Sequence, residues 1–266
     1  MTTILLVGGG RMGGALARGW RQRGIAADSI FVIEPDVGSA SRLKADTGAT
    51  IIGGPDALKS PPEVVVFAVK PQAMAEIAPA YRKFAGSAFL SIAAGRTLKF
   101  FAGALGPQAA VVRSMPNTPA SVGRGFTVAC ANANVSAAQR ALCQSLLEAV
   151  GEVAWVEDEA LLDPVTAVSG SGPAYVFLLM EALAEAGKAA GLPADLAERL
   201  ARATIIGSGE LARLSPESAA DLRRAVTSPG GTTEAALKVL MAPGGLTDLM
   251  TRAVAAATKR SRELAG

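Results

Sequence analysis

Three glycines near the start of the chain have the spacing of a turn that binds a pyrophosphate. Gly8, Gly10 and Gly13 fit the pattern G-x-G-x-x-G and directly follow the apolar run Ile4–Val7. The first glycine permits a tight turn, the second lets an anion approach the backbone, and the third lets a helix pack closely on a strand. The helix that follows would point its N–H groups and its dipole at the anion. The turn therefore predicts a dinucleotide site, and a glycine-rich turn without a ligand is the alternative. The predicted cofactor-binding residues of this turn are Gly8, Gly10, Arg11, Met12 and Gly13.

An acidic residue follows at the distance where dinucleotide-binding domains hold the adenosine ribose. Glu34 ends the second apolar run, 21 residues after Gly13. A carboxylate there would accept hydrogen bonds from ribose hydroxyls and repel a 2′-phosphate, which favours NADH weakly over NADPH. In the alternative, Glu34 is an exposed turn residue, and Arg11 or Arg42 is near enough to bind a phosphate. Both interpretations stay open at the level of the sequence.

The residue composition excludes several classes of catalytic mechanism and of binding partner. The 266 residues contain no histidine, which excludes Ser-His-Asp triads, Cys-His dyads and histidine-ligated zinc, and we predict no metal site. The 26 basic and 23 acidic residues are spread over both halves of the chain, so we expect no nucleic-acid partner. Cys130 and Cys143 lie outside any C-x-x-C spacing and are expected to be reduced core thiols of a cytoplasmic protein.

Short apolar runs in the first half predict the elements that position these residues. Near-continuous apolar runs that alternate with helical stretches are typical of a parallel sheet covered on both faces. The predicted strands are Ile4–Val7, Ile30–Ile33, Val64–Val69, Phe89–Ile92 and Ala110–Arg113, and the predicted helices between them include Ala15–Arg23 and Ser39–Asp46.

The pattern becomes helical after about Asp163. The predicted helices are Tyr175–Ala190, Asp195–Leu214, Ala219–Val226, Thr233–Leu240 and Leu246–Leu264, separated by Gly- and Pro-containing stops. The chain is thus predicted to combine an α/β Rossmann-like N-terminal domain (residues 1–160) with an all-α C-terminal domain (residues 161–266). The slender second domain is expected to cover its apolar residues by self-association. No uninterrupted apolar run approaches the roughly 18 residues of a membrane span, and the strand pattern begins too early for a signal peptide.

Four further sequence strings are more specific to a single protein family than the glycine turn, which many dehydrogenases share. Three of them follow predicted strands, and the fourth is a pair in the helical half. They are Ala68-Val69-Lys70-Pro71, Ser91-Ile92-Ala93-Ala94-Gly95, Arg113-Ser114-Met115-Pro116-Asn117-Thr118-Pro119, and the pair Ser169-Gly170-Ser171-Gly172-Pro173-Ala174-Tyr175 with Thr227-Ser228-Pro229-Gly230-Gly231-Thr232-Thr233. In order, spacing and content they resemble pyrroline-5-carboxylate reductase, the enzyme of the last step of proline synthesis, from Ile4 to about Leu264.

The resemblance implies a fold, an assembly and a set of site residues. The helical domain would be a dimerisation domain, the dimers of the family often associate further into rings, and the active site would lie between the domains and be completed by the partner subunit. The cofactor, NADPH or NADH, would be bordered by Ala68, Val69, Lys70, Pro71, Ala93, Ala94, Met115, Pro116 and Asn117, and Glu159 matches an acid of the family near the cofactor. The substrate carboxylate would be received by Gly230, Gly231, Thr232 and Thr233.

The resemblance also implies a reaction, which is hydride transfer to the C=N carbon of 1-pyrroline-5-carboxylate. A cyclic imine can enter already protonated, so Thr233 would need only to orient the ring nitrogen or relay a proton from water. This makes Thr233 the predicted catalytic residue. Two departures from the family, Glu34 and the Gly54-Pro55 pair where an Asn is common, bear on the choice between NADH and NADPH. The alternatives are an enzyme like the 3-hydroxyacid dehydrogenases, with Lys188 as acid/base, and a dinucleotide-binding sensor without turnover.

Overall fold

The computed structural model describes residues 2–265. Met1 and Gly266, the outermost residues of the two predicted domains, lie outside this range. The chain forms two compact units, one made of the residues up to Gly170 together with those from Ala257 onward, and the other of Ser171–Ala256. The domain boundary placed at 160/161 from the sequence stays a prediction.

The first unit is built on one eight-stranded sheet with the order β3-β2-β1-β4-β5-β6-β7-β8. Neighbouring strands are parallel except β6 and β7, which run antiparallel. The strands are β1 (Ile4–Val7), β2 (Ile30–Ile33), β3 (Thr50–Ile51), β4 (Val64–Phe67), β5 (Ala88–Ser91), β6 (Ala110–Met115), β7 (Gly125–Ala131) and β8 (Gly151–Trp155). The Rossmann-like class predicted from the apolar runs is confirmed, with one antiparallel pair that the runs did not predict.

Both faces of the sheet are buried, because alternate residues of each strand point to opposite sides. Ile4 and Leu6 belong to a core that contains Trp20 of α1, whereas Leu5 and Val7 belong to a separate core with aromatic side chains that include Phe67. Trp20 also donates from Nε1 to the Leu146 carbonyl oxygen at 2.9 Å. The helices of this unit are α1 (Arg11–Gln22), α2 (Val37–Thr47), α3 (Met74–Ile77), α4 (Leu98–Leu105), α5 (Ala137–Glu148) and α6 (Leu162–Val165).

The helical unit begins just after a π-helical turn at Thr166–Gly170. Its helices are α7 (Gly172–Ala189), α8 (Ala194–Leu214), α9 (Ala219–Ala225), α10 (Thr232–Leu240) and α11 (Leu246–Ala265), the last turns of which belong to the first unit. These bounds agree with the predicted helices to within three residues. Helices α7 and α8 approach closely at Gly187, where an added Cβ would lie 3.3 Å from the Ala197 Cβ.

The second unit buries little apolar surface within one copy of the chain. Its buried hydrophobic residues are three alanines, Ala184, Ala197 and Ala201. Large side chains on α7 stay exposed, among them Phe177 and Leu178 at 58% and 63%. Within the described residues, one helical stretch, Glu159–Ala189, is long and apolar enough to cross a membrane by length and composition, although only 11% of its most apolar window is buried.

The sequence patterns missed three strands of the first unit, β3, β7 and β8, and named none of its helices α3, α4, α5 and α6. Strand β3 has only two residues. Strands β7 and β8 carry polar or small residues such as Thr127 and Glu152 among their apolar ones, so no continuous apolar run marks them. Helix α5 begins with a capping box in which Ser136 accepts the Gln139 N–H and Gln139 accepts the Ser136 N–H. That signal was readable in the sequence.

Candidate active site

The sequence strings that are predicted to bind the cofactor follow strands whose carboxyl ends lie along one edge of the sheet. Strand β1 pairs in parallel with β2 on one side and with β4 on the other, so the strand order reverses at β1. In open parallel sheets, ligands bind outside the carboxyl ends of the strands at such a point. The strings after β1, β2, β4, β5 and β6 all emerge at this edge.

The three glycines of the G-x-G-x-x-G turn differ in how much space surrounds them. Gly8 has a φ of +100°, and a Cβ there would lie 2.7 Å from the Ala68 carbonyl oxygen. At Gly13 a Cβ would lie 2.1 Å from the Gly8 carbonyl oxygen, so the backbone itself requires glycine. At Gly10 no heavy atom lies within 4 Å of the added Cβ. The space over Gly10 is therefore open to a ligand at the start of α1.

Glu34 lies directly against this turn. Its Oε2 accepts the Gly9 N–H at 2.6 Å, and its Oε1 accepts the Asp36 N–H at 2.9 Å. Both carboxylate oxygens keep further lone pairs, so they can accept a hydroxyl hydrogen as well. The backbone thus holds a negative charge beside the glycine turn, in the place expected for a ribose contact.

Cationic side chains line a cavity of about 220 Å³ that also contains Gly9, the residue whose N–H donates to Glu34. Arg11, Arg18 and Arg42 contribute to its wall. Arg18 pairs with Asp46 at 3.2 Å, and Arg42 donates from Nη2 to the Ser39 Oγ at 3.3 Å. The cavity can therefore present positive charge to a phosphate close to the carboxylate of Glu34.

The strings after β4 and β5 are joined by one arginine. Arg96 donates from Nε to the Pro71 carbonyl oxygen at 2.8 Å, and its guanidinium lies 4.9 Å from the centre of the Phe100 ring. Ala93 is buried and Ala94 is half-buried, whereas Lys70 is exposed. The structure therefore brings Ala68–Pro71 and Ala93–Gly95 together, with small side chains on the second string.

Serine side chains connect the strings after β5 and β6. Ser114 donates from Oγ to the Ser91 carbonyl oxygen at 3.0 Å. The Ser91 Oγ in turn accepts the Ala93 N–H at 3.2 Å. These contacts fix the backbone at the end of β5 relative to the end of β6.

Glu159 is held inside the first unit by two donors. Its Oε1 accepts a hydrogen bond from Arg113 Nη1 at 2.8 Å and from the Leu98 N–H at 2.8 Å. Arg113 is the one charged residue of β6. Leu98 is the first residue of α4. Glu159 therefore ties the end of β6 to the start of α4, and its role as a cofactor contact stays a prediction.

Asn117 is engaged at both ends of its amide. Its Nδ2 donates to the Ser169 Oγ at 3.1 Å, and its Oδ1 accepts the Phe126 N–H at 2.9 Å. Met115, two residues earlier, lies against Gly170, where an added Cβ would be 2.5 Å from the Met115 Cε. The loop after β6, with Pro116 buried in it, is thus attached to the π-helical turn.

The predicted substrate loop belongs to the second unit. Gly230 has a φ of +71°, and its N–H donates to the Glu234 Oε2 at 2.7 Å. Gly231 is the N-cap of α10, and Thr232 and Thr233 are the first two residues of that helix. Thr233 is half-buried. The first N–H groups of a helix have no partner within the helix, so this loop can present donors to a carboxylate.

The same local structure occurs again at the start of α11. Gly244 has a φ of +76°, and its N–H donates to the Asp248 Oδ2 at 2.6 Å. Two helices of this chain, α10 and α11, therefore begin after a glycine whose N–H donates to the carboxylate four residues later. The hydrogen bond between Gly230 and Glu234 therefore caps a helix, whether or not the loop also binds a ligand.

Lys188 and the two cysteines have raised pKa values. Lys188 pairs with the Glu185 Oε1 at 2.6 Å, and this hydrogen bond raises the pKa of the lysine, whereas an acid/base lysine needs a lowered pKa. Burial raises the pKa of the Cys143 thiol to about 12 and also raises that of Cys130. Both cysteines are buried and unpaired by a disulfide. Residues 2–265 contain no group of three His, Cys, Asp or Glu residues that could hold a metal ion.

Three residues that organise the site were given no role of their own from the sequence. They are Arg96, Arg113 and Ser169. Arg113 had a signal, because it is a charged residue inside an apolar run that continues the sheet. Ser169 begins one of the quoted strings, and Arg96 directly follows another. No local pattern indicated their contacts, because their partners, Asn117 and Pro71, are 52 and 25 positions away.

Two family models match different parts of the chain. Residues 159–264 match a model described as pyrroline-5-carboxylate reductase dimerisation. Residues 3–95 match a model described as NADP oxidoreductase, coenzyme F420-dependent. The first description names pyrroline-5-carboxylate reductase, and the second names an NADP oxidoreductase.

Individual relatives cover the whole chain. The pyrroline-5-carboxylate reductase of Pseudomonas aeruginosa is 42% identical over 98% of this chain and 96% of its own length, and that of Pisum sativum is 37% identical over 98% and 96%. A solved structure of the Coxiella burnetii reductase matches with a TM-score of 0.93 at 36% identity, over 100% of this chain and 99% of that one. The Plasmodium falciparum reductase, solved with NADP bound, matches with a TM-score of 0.84 at 28% identity, over 100% and 98%. With this identity over its full length, the chain belongs to the pyrroline-5-carboxylate reductase family.

Proposed function

We propose that this chain reduces 1-pyrroline-5-carboxylate to L-proline by hydride transfer from a nicotinamide dinucleotide. The observation that carries the proposal is the 42% identity to a reductase of this name over nearly all of both chains. Two local features support it, namely an open glycine turn at the switch point of the sheet and a Pro-Gly-Gly-Thr-Thr helix start in the second unit. The bound dinucleotide would supply the hydride, and the protein would supply binding and orientation.

The glycine turn fits a dinucleotide. Gly10 leaves open space at the N-terminus of α1, where backbone N–H groups and the helix dipole favour a pyrophosphate. Ala93 and Ala94 offer a backbone without bulky side chains on the proposed nicotinamide side. Arg96 holds that string to Pro71, so the surface that would support the nicotinamide is fixed before the cofactor binds.

Thr233 is proposed to orient the ring nitrogen of the substrate. The reduction adds a hydride to the C=N carbon, and the nitrogen ends with one proton. A substrate that enters as the iminium ion already carries this proton, so a threonine hydroxyl needs only to hydrogen-bond the nitrogen or pass on a proton from water. Gly230, Gly231 and Thr232 would form the loop that receives the substrate carboxylate, with the N–H of Thr232 and the dipole of α10 facing it. The N–H groups of Gly230 and Gly231 already donate to Glu234 and to the Ser228 carbonyl oxygen, so these two glycines would shape the loop.

The choice between NADH and NADPH depends on two opposing charges. The carboxylate of Glu34 is fixed beside the turn by the N–H groups of Gly9 and Asp36, and it would repel a 2′-phosphate. Arg11 and Arg42 line the neighbouring cavity and would attract one. We propose that NADH is used at least as well as NADPH, because Glu34 lies closest to the turn through a direct hydrogen bond.

The exposed apolar surface of the second unit supports self-association. Its three buried alanines cannot form a hydrophobic core, and the exposed apolar side chains of α7 need cover. We propose a homodimer formed through this unit, as the description of the matching family model suggests, with further association into a ring of dimers. The apolar stretch Glu159–Ala189 would then be covered by protein rather than lipid. A cytoplasmic location is also proposed, in keeping with two thiols that form no disulfide.

A cofactor-oxidation assay tests the proposal. Purified protein with 1-pyrroline-5-carboxylate is expected to oxidise NADH and NADPH, with NADH at least equal in kcat/KM, and to release proline. Absence of oxidation with both cofactors would contradict the reductase and favour a sensor. A clear NADPH preference would contradict only the role given to Glu34. The hydroxyacid dehydrogenase is disfavoured because Lys188 forms an ion pair with Glu185, and activity on 3-hydroxyacids that is lost in Lys188→Met would restore it.

A further inference from the structure

The last turns of α11 are fastened to the first unit by a nearly buried hydrogen bond. Ser261 donates from Oγ to the Asp163 Oδ1 at 2.7 Å. Ser261 is 6% exposed, and the side chain of Asp163, on the short helix α6, is 14% exposed. The Nε of Arg262 lies 3.9 Å from the other oxygen of the same carboxylate. A charge-assisted hydrogen bond shielded from water is among the stronger ones that a protein makes.

One turn later, the backbone of α11 lies directly on Gly95. A Cβ added to Gly95 would be 3.1 Å from the Leu264 carbonyl oxygen and 3.4 Å from the Leu264 Cβ. Gly95 has a φ of +68°, a backbone conformation that other residues rarely adopt. Gly95 thus permits both the turn after β5 and the close approach of the helix.

This contact reaches the string that borders the proposed nicotinamide position. Gly95 directly follows Ala93 and Ala94, and the next residue, Arg96, is hydrogen-bonded to Pro71. The loop after β5 is therefore held on one side by the loop after β4 and on the other side by the end of α11. Loosening either side would let the loop move, and a surface that must be ordered on binding costs affinity.

We propose that the end of α11 positions the loop Ala93–Arg96 for dinucleotide binding, and that Ser261 is the positioning residue that holds it there. The inference rests on the proposed function, because it assigns a cofactor to this loop. Ser261 is not among the residues proposed to contact the cofactor or the substrate. It acts through Leu264 and Gly95, which distinguishes it from the residues of the glycine turn.

The Ser261→Ala variant tests the proposal through direct binding. NADH and NADPH are titrated against the wild type and the variant by calorimetry, and kcat and both KM values are measured in the same buffer. We expect the dinucleotide Kd and KM to rise about three- to tenfold, in line with the loss of one hydrogen bond to a charged group, while the KM for pyrroline-5-carboxylate stays within about twofold. The matched control is Arg260→Ala, which removes an exposed ion pair with Glu263 in the same turn and should leave the dinucleotide Kd unchanged.

A double-mutant cycle separates positioning from a general loss of structure. If the hydrogen bond carries the effect, Asp163→Ala and the double variant Asp163→Ala/Ser261→Ala should raise the dinucleotide Kd no further than Ser261→Ala does. Additive effects would overturn the proposal, and so would an unchanged Kd in Ser261→Ala or equal increases in both KM values. A wild type that binds neither dinucleotide would overturn the proposed function and this inference together, whereas a wild type that works normally isolates the failure to Ser261.

Discussion

Arg113 and Glu159 form an ion pair that joins the end of β6 to the beginning of α4. The Arg113 Nη1 lies 2.8 Å from the Glu159 Oε1, and the same oxygen accepts the N–H of Leu98. The arginine side chain is 6% exposed and the glutamate side chain 27%. Because the loops that follow β5 and β6 both carry proposed cofactor contacts, this pair holds two parts of the site in register.

Loss of the arginine should destabilise the first unit. In Arg113→Met the aliphatic stem is kept and the charge is removed, which leaves a half-buried carboxylate with one donor. We expect the free energy of unfolding to fall by about 2 to 3 kcal/mol, measured by urea denaturation. The control is Arg18→Ala, whose pair with Asp46 is exposed and should cost less than about 1 kcal/mol. Equal losses in the two variants would show that the Arg113 pair is no stronger than a surface contact.

The glycine turn offers a pair of variants with opposite consequences for folding. Gly13→Ala should destabilise the protein, because its Cβ would overlap the Gly8 carbonyl oxygen. Gly10→Ala has open space and should keep the unfolding temperature of the wild type, while dinucleotide affinity falls by about tenfold or more as the methyl group takes the space of the pyrophosphate. Thermal unfolding and calorimetric titration report the two effects separately. Gly103→Ala, inside α4 with no atom within 4 Å of the added Cβ, is the control and should leave binding unchanged.

The charge at Glu34 should set the ratio of the two cofactors. Glu34→Gln keeps an acceptor for one of the two backbone N–H groups and removes the negative charge. The ratio of kcat/KM for NADPH to that for NADH should therefore rise by about tenfold, or about 1.4 kcal/mol. Asp36→Asn removes a charge two residues away and keeps a good N-cap for α2. If both variants change the ratio equally, the effect is one of general charge and Glu34 has no direct contact with the ribose.

Sequence patterns predicted an element correctly where its residues meet a local requirement, such as burial on both faces or a tight turn. The strands β1, β4, β5 and nearly all of β6 are buried on both faces, and β2 is buried on one face and half-buried on the other, so apolar runs marked them. The turn at Gly8–Gly13 was readable because tight turns and close backbone approach require glycine. The helices of the second unit were readable because Pro and Gly separate them.

Other features depend on contacts between residues far apart in the chain. The bonds from Glu159 to Arg113 and from Ser261 to Asp163 span 46 and 98 positions, and no local pattern encodes such a pairing. Strand β7 pairs antiparallel to β6, and its small and polar residues gave no run to detect. The same limit applies to Asn117, because only the folded chain places Ser169 beside its amide.

Alkaline pH should destabilise the protein through two buried groups. Burial raises the pKa of Tyr81 from 10.0 to about 12 and that of Cys143 from 9.0 to about 12. Above pH 9 the unfolded chain releases protons that the folded chain keeps, so stability is full below pH 9 and falls up to about pH 12, by at most about 1.4 kcal/mol per pH unit for each group. Unfolding temperatures measured from pH 7 to 11.5 should fall less steeply in Tyr81→Phe and in Cys143→Ala than in the wild type. Identical slopes in all three proteins would show that these groups ionise as freely in the folded state as in the unfolded one.

Thr233 and Thr232 provide the most direct test of the proposed chemistry, because they are neighbours at the start of α10 with different expected roles. Thr233→Ala removes the hydroxyl that would orient the ring nitrogen, so kcat should fall by about tenfold or more, while the dinucleotide Kd stays the same. Thr232→Ala keeps the backbone N–H that would bind the carboxylate, so its kcat and substrate KM should stay within about threefold of the wild type. Thr233→Ser restores a hydroxyl and should recover most of the turnover. If Thr233→Ala keeps full turnover, water or another donor orients the nitrogen, and Thr233 serves only to start the helix.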